Sequence, residues 1–144
     1  MAGGRILLVE DNPANRRLAE FLLKSHGYFV YEAMTGQEAL ELAKTHVPDL
    51  ILMDLQLPGL DGFAATRILK EDAATKDIPI VALTAYAMKG DAERALEAGC
   101  DGYITKPIDT KEFPVAVSRY LAAGRGKGAE SGHGDRGEDP GRGR

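Results

Sequence analysis

Two periodicities alternate along residues 5–122, and that alternation restricts the fold more than any other feature of the chain. Short apolar runs rich in leucine and β-branched residues come first: Ile6-Leu7-Leu8-Val9, Phe29-Val30-Tyr31, Leu50-Ile51-Leu52-Met53, Ile80-Val81-Ala82-Leu83 and Tyr103-Ile104. Between them apolar residues recur three or four positions apart, which predicts helices. Leu18, Phe21 and Leu22 mark the first helix, Ala39, Leu40, Leu42 and Ala43 the second, and Ile68 and Leu69 the third. Ala92, Ala95 and Leu96 mark the fourth, and Phe113, Val117, Tyr120 and Leu121 the fifth. Strands without polar interruption are expected to be buried on both faces, as in a parallel sheet covered by helices. Five such βα units make an open, doubly wound α/β sheet, because an eight-stranded barrel needs roughly 250 residues.

Local punctuation agrees with this division. Asn12 before Pro13 reads as a helix N-cap with proline in the first turn. Gly27 and Gly99 stand where a helix ends in a residue of positive φ. Composition changes after Ala123: residues 124–144 hold 8 of the 17 glycines, mixed charges and no large apolar side chain. Such a segment buries too little to offset its ordering entropy. We therefore expect one domain over residues 1–123 and a disordered tail over 124–144, with no room for an output module behind it.

The formal net charge of −4 gives no basic face for nucleic acid. One cysteine, Cys100, excludes an intrachain disulfide and a thiolate cluster, and is expected to be a small packed residue. His26, His46 and His133 show no metal-ligand spacing. There is no signal sequence and no apolar run near the ~18 residues of a membrane span, so a cytoplasmic location is expected.

In an open parallel sheet the active crevice lies beyond the carboxyl ends of the strands. The expected ends carry Glu10-Asp11, Asp54, Thr84 and Lys106. Three carboxylates on one rim repel one another unless some are protonated or a hard cation joins them. Magnesium suits the set, since it takes a few carboxylates and keeps waters that a phosphoryl oxygen can replace. A carboxylate attacking phosphorus forms an acyl phosphate, with Lys106 and Thr84 available to the developing charge. Lys106 precedes Pro107, where a cis bond is accessible and would turn Lys106 toward the rim.

The ordered set Leu8-Val9-Glu10-Asp11-Asn12, Leu52-Met53-Asp54-Leu55-Gln56-Leu57-Pro58-Gly59-Leu60-Asp61-Gly62, Leu83-Thr84-Ala85 and Lys106-Pro107 resembles the receiver domain of two-component response regulators. The stretch Thr84 to Asp91 also resembles the DivK-type single-domain regulators and the receivers of hybrid histidine kinases. The resemblance implies a CheY-like fold, with five helices and strand order 2-1-3-4-5. It implies phosphorylation of Asp54, and magnesium bound by Asp11, Asp54 and the main-chain carbonyl of Gln56, with Glu10 direct or through water. Thr84 and Lys106 would hold the phosphoryl group, and Tyr103 would change rotamer together with Thr84. The implied donor is a histidine kinase or phosphotransfer protein docking on the first helix, at Ala14, Asn15, Leu18 and Leu22, and on the loop after Pro107. An unknown partner would read the face from Lys89 to Leu121, and Tyr86 would gate access to Asp54 or pack on the fourth helix.

Two other functions meet specific obstacles. A phosphatase of the haloacid dehalogenase type carries a second acid two residues after its nucleophile, where this chain has Gln56. A flavodoxin-like binder needs a Ser/Thr/Gly phosphate loop, where this chain has Glu10-Asp11-Asn12.

Overall fold

A computed structural model describes residues 4–85 and 90–132, the last eight by backbone alone. The elements alternate: β1 (Arg5–Val9), α1 (Pro13–Ser25), β2 (Phe29–Ala33), α2 (Gly36–His46), β3 (Leu50–Asp54), α3 (Gly62–Glu71), β4 (Ile80–Thr84), α4 (Asp91–Ala98), β5 (Gly102–Thr105) and α5 (Glu112–Gly132). All strand pairs are parallel, in the order β2-β1-β3-β4-β5. The expected α/β fold and strand order are therefore observed. The order reverses between β1 and β3, so the crevice opens where Glu10 and Asp54 leave the sheet.

Burial follows strand position. Every residue of β3 and β4 is buried, whereas edge strands β2 and β5 are only partly covered. Alternate side chains feed two cores. Leu7, Val9, Ile51, Met53, Ile80 and Ala82 pack with residues of α2, α3 and α4. Ile6, Leu8, Leu50, Leu52, Val81 and Leu83 pack with α1 and α5. Burying a leucine or isoleucine of this kind stabilises by about 1.5–3 kcal/mol relative to exposure, so the strands that end at the rim are the best anchored in the core.

The helix ends behave as their residues dictate. The Asn12 side chain caps α1 by accepting from the Asn15 amide at 3.0 Å, with Pro13 opening the helix. Gly27 and Gly99 take φ of 88° and 114° beyond α1 and α4. Helix rotation departs from the expected stripes, however. Ala19, Leu22 and Leu23 face the core from α1, while Phe21 is 68% exposed. α5 continues as a helix through Gly132. Gly124 permits this path, because a Cβ there would lie 2.8 Å from Pro79 Cγ. Residues 133–144 lie outside the described residues, as do Tyr86 and Met88.

Candidate functional site

The parallel sheet delivers the predicted rim residues to one place. Glu10 still belongs to the ladder, its amide donating to Ala33 at 3.0 Å, and its side chain is buried. Asp11, the next residue, is exposed. Asp54 ends β3 and is 3% exposed. Ligand oxygens of Glu10, Asp11 and Asp54 all lie within 4.8 Å of one another. Lys106 Nζ reaches in from the end of β5, 3.1 Å from Glu10 Oε1 and 3.4 Å from Asp54 Oδ1. The Lys106–Pro107 peptide is cis. Thr84 ends β4, buried, and its carbonyl accepts from the Lys106 amide at 2.8 Å.

Lys106 contacts two of these three carboxylates, and the Asp54 carboxyl is shifted by its surroundings. Burial pushes its pKa from 3.8 to about 6. The Gln56 amide, donating to Oδ1 at 3.1 Å, opposes the shift, the Glu10 carboxylate adds to it, and Lys106 opposes it more weakly. A cluster of oxygen donors with surplus negative charge and no histidine or thiolate matches a hard divalent cation. The acidic cluster can thus hold a metal ion.

The loop after Asp54 is shaped by glycine. A Cβ on Gly62 would sit 2.3 Å from the Asp54 carbonyl oxygen, so only glycine lets α3 start against the end of β3. Gly59 takes φ of 72°. Gln56, whose carbonyl the receiver resemblance assigns to the metal, is exposed in this loop. Tyr103 pairs in register with Ala82 and so lies on the same sheet face as Thr84, with 42% of its surface exposed. Cys100 is packed as expected; burial pushes its thiol to about 11, far from reactive.

Sequence reading missed one participant. Arg16 Nη1 donates to the carbonyls of Glu10 at 3.2 Å and Asp11 at 3.5 Å, and its Nε pairs with Glu32 at 3.3 Å. A signal was present: a cation in the first turn of a helix opposes the helix dipole and needs another reason to be there.

Comparison with known proteins agrees with this geometry. Residues 6–118 match the response regulator receiver domain. The polar-differentiation response regulator DivK of Brucella ovis is 46% identical over 116 residues, 81% of this chain and 94% of DivK. The receiver domain of a Pseudomonas aeruginosa sensor histidine kinase, crystallised with magnesium in its active-site cleft, is 42% identical with a TM-score of 0.79, covering 84% of this chain and 99% of that one. Chemotaxis response regulator CheY4 of Vibrio cholerae is 25% identical with a TM-score of 0.78, covering 83% and 99%. The chain belongs to the response regulator receiver domain family and is a receiver of two-component signalling.

Proposed function

We propose that Asp54 accepts a phosphoryl group from a phosphohistidine donor. An Asp54 oxygen attacks phosphorus, the P–N bond breaks, and the leaving imidazole takes up a proton. The observation that carries this reading is the buried Asp54 carboxylate, raised to about 6 and clustered with Glu10 and Asp11 beside a single lysine. Glu10, Asp11, Asp54 and the Gln56 carbonyl would hold magnesium, Glu10 directly or through water. When bound, magnesium neutralises charge on the phosphoryl oxygens.

The protein's own groups do the rest. Lys106 supplies a fixed positive charge, and the Thr84 hydroxyl donates to a phosphoryl oxygen. Tyr103 shares the sheet face of Thr84, which supports a coupled movement of the two on phosphorylation. The output is then a change in partner affinity between two states, rather than turnover of a substrate. This is a switch and not a dedicated enzyme.

The donor's helical bundle would dock beside the rim on α1. Ala14 and Leu18 are exposed there, whereas Leu22 turns into the core and Phe21 supplies the apolar surface in its place. Among the described residues no helix is long and apolar enough to cross a membrane. With a single cysteine, buried, and a net charge of −4, we assign the chain to the reducing cytoplasm and to protein partners.

The test is incubation with acetyl phosphate, with and without magnesium, beside D54N, read by intact mass. Wild type should gain one phosphoryl group only with magnesium, and D54N none. Equal labelling of D54N would refute the assignment.

A further inference from the structure

Arg16 occupies a position that electrostatics disfavours, in the first turn of α1, which carries no acid. Its contacts explain its presence. The guanidinium stands between the main chain of the rim and strand β2, bonded to the Glu10 and Asp11 carbonyls on one side and to Glu32 on the other. Those carbonyls belong to two of the three clustered acids. The ladder holds Glu10 through its amide, 3.0 Å from the Ala33 carbonyl. Asp11 lies past the strand, so the turn that aims both carboxylates is braced by the arginine.

The brace has its own anchor. Glu32 is fixed in β2 opposite Leu8 of β1. Glu20, on the neighbouring helix face, raises the Glu32 pKa and itself pairs with Lys24 at 2.7 Å. Arg16, Glu20 and Lys24 stand four residues apart on α1, so one helix face carries a row from the rim to Lys24. A guanidinium suits the rim end of this row because its planar fork can hold two carbonyls and a carboxylate together; an ammonium lacks that shape.

We propose that Arg16 is a positioning residue for cation binding: it fixes the Glu10-Asp11 turn and so aims both carboxylates at the cation, while Glu32 anchors it. This rests on the proposed magnesium site. Arg16 does not touch the cation in this role; it acts through the main chain of residues that do. The sign of its effect separates it from a charge effect. Deleting a nearby positive charge should by itself tighten a cation, whereas releasing the turn should loosen it.

The experiment is magnesium titration by calorimetry on the full chain, comparing wild type, R16Q, R16K and E32Q. R16Q should bind magnesium about tenfold more weakly, in the range for residues that orient metal ligands. R16K should also bind more weakly although the charge is kept, and E32Q by a smaller factor. Phosphorylation from acetyl phosphate should show the same pattern, with a higher half-saturating magnesium concentration and recovery of rate at excess magnesium. R16Q or R16K binding magnesium as tightly as wild type, or more tightly, overturns the proposal. A loss of rate that excess magnesium does not restore, with unchanged affinity, also overturns it. A wild type that binds no magnesium refutes the proposed function itself, and normal wild-type binding beside unchanged variants refutes only the role of Arg16. If R16Q does not fold, R16K decides.

Discussion

A lysine stands at each end of the sheet, Lys70 from α3 and Lys106 just past β5, and the two are partnered in opposite ways. At the amino end, Lys70 Nζ donates to the carbonyls of Lys76 at 3.3 Å and Ile78 at 2.8 Å and to Asp101 at 3.0 Å. An ammonium has three donors, and all three are used. Asp101 also accepts from the Ile80 amide at 2.8 Å, which ties the starts of β4 and β5 together. At the carboxyl end, Lys106 meets two of three clustered carboxylates, and the remaining negative charge has no cation among the described residues. A balanced cluster holds the fold; an unbalanced one is built to receive something. Charge and donor counting therefore separates the two ends although both contain lysine and aspartate.

The largest effect should come from exchanging the lysines for methionine. K106M should slow phosphorylation of Asp54 from acetyl phosphate by about a hundredfold, the order found for removing one group that stabilises transition-state charge. K70M should leave that rate within about twofold of wild type if its structure is intact, since Lys70 has only structural partners. Similar losses from both would break the contrast.

Next in size is the pH dependence of stability without metal. The folded pKa of Asp54, about 6, lies above its ordinary 3.8, so between those values folded protein holds a proton that unfolded chain has lost. This contribution is present at acid pH and is lost as pH rises through 6, a swing of about 2–3 kcal/mol. In EDTA, D54N should therefore gain stability relative to wild type between pH 4 and pH 7, measured by urea unfolding. Adding magnesium at pH 8 should recover the wild type but not D54N. A difference that is flat, or opposite in sign, would contradict the buried-carboxylate account.

At the amino end, K70M should cost about 1–3 kcal/mol in urea, for the lost charge-assisted bonds and the carbonyls left unpaired. It should not change magnesium affinity, which calorimetry can check. The smallest effect belongs to the surface pair Lys44–Asp72, 3.2 Å apart with side chains 55% and 29% exposed. The Asp72 pKa is lowered by the Ala74 amide before Lys44. K44A should thus leave the urea midpoint close to that of wild type, a smaller change than K70M. A larger loss would show that exposure is a poor guide to which lysines matter.

Much of this was legible in the residue order. The runs Leu50–Met53 and Ile80–Leu83 announce central strands because burial on both faces leaves no polar position. The rim acids are legible because parallel strands fix which end of each run faces the crevice. The rotation of α1 was not, since Leu18, Phe21 and Leu22 offer one plausible stripe and Ala19, Leu22 and Leu23 another. Only packing against Leu8 and Phe113 in the same core selects the second. Arg16 and Lys70 escaped for a different reason. Both act on main-chain carbonyls, and a carbonyl has no letter in the sequence.

The Lys106–Glu10 contact closes over 96 residues of chain. The rim therefore forms only after β1, β3 and β5 have found their register through β4, and such non-local pairing is the slow part of folding. An unfolded or half-folded chain has no way to gather the acids. A cation that binds them selects the complete fold, adding RT ln(1 + [L]/Kd) to its stability. Magnesium titration of this chain is then also an assay of how much of it is folded.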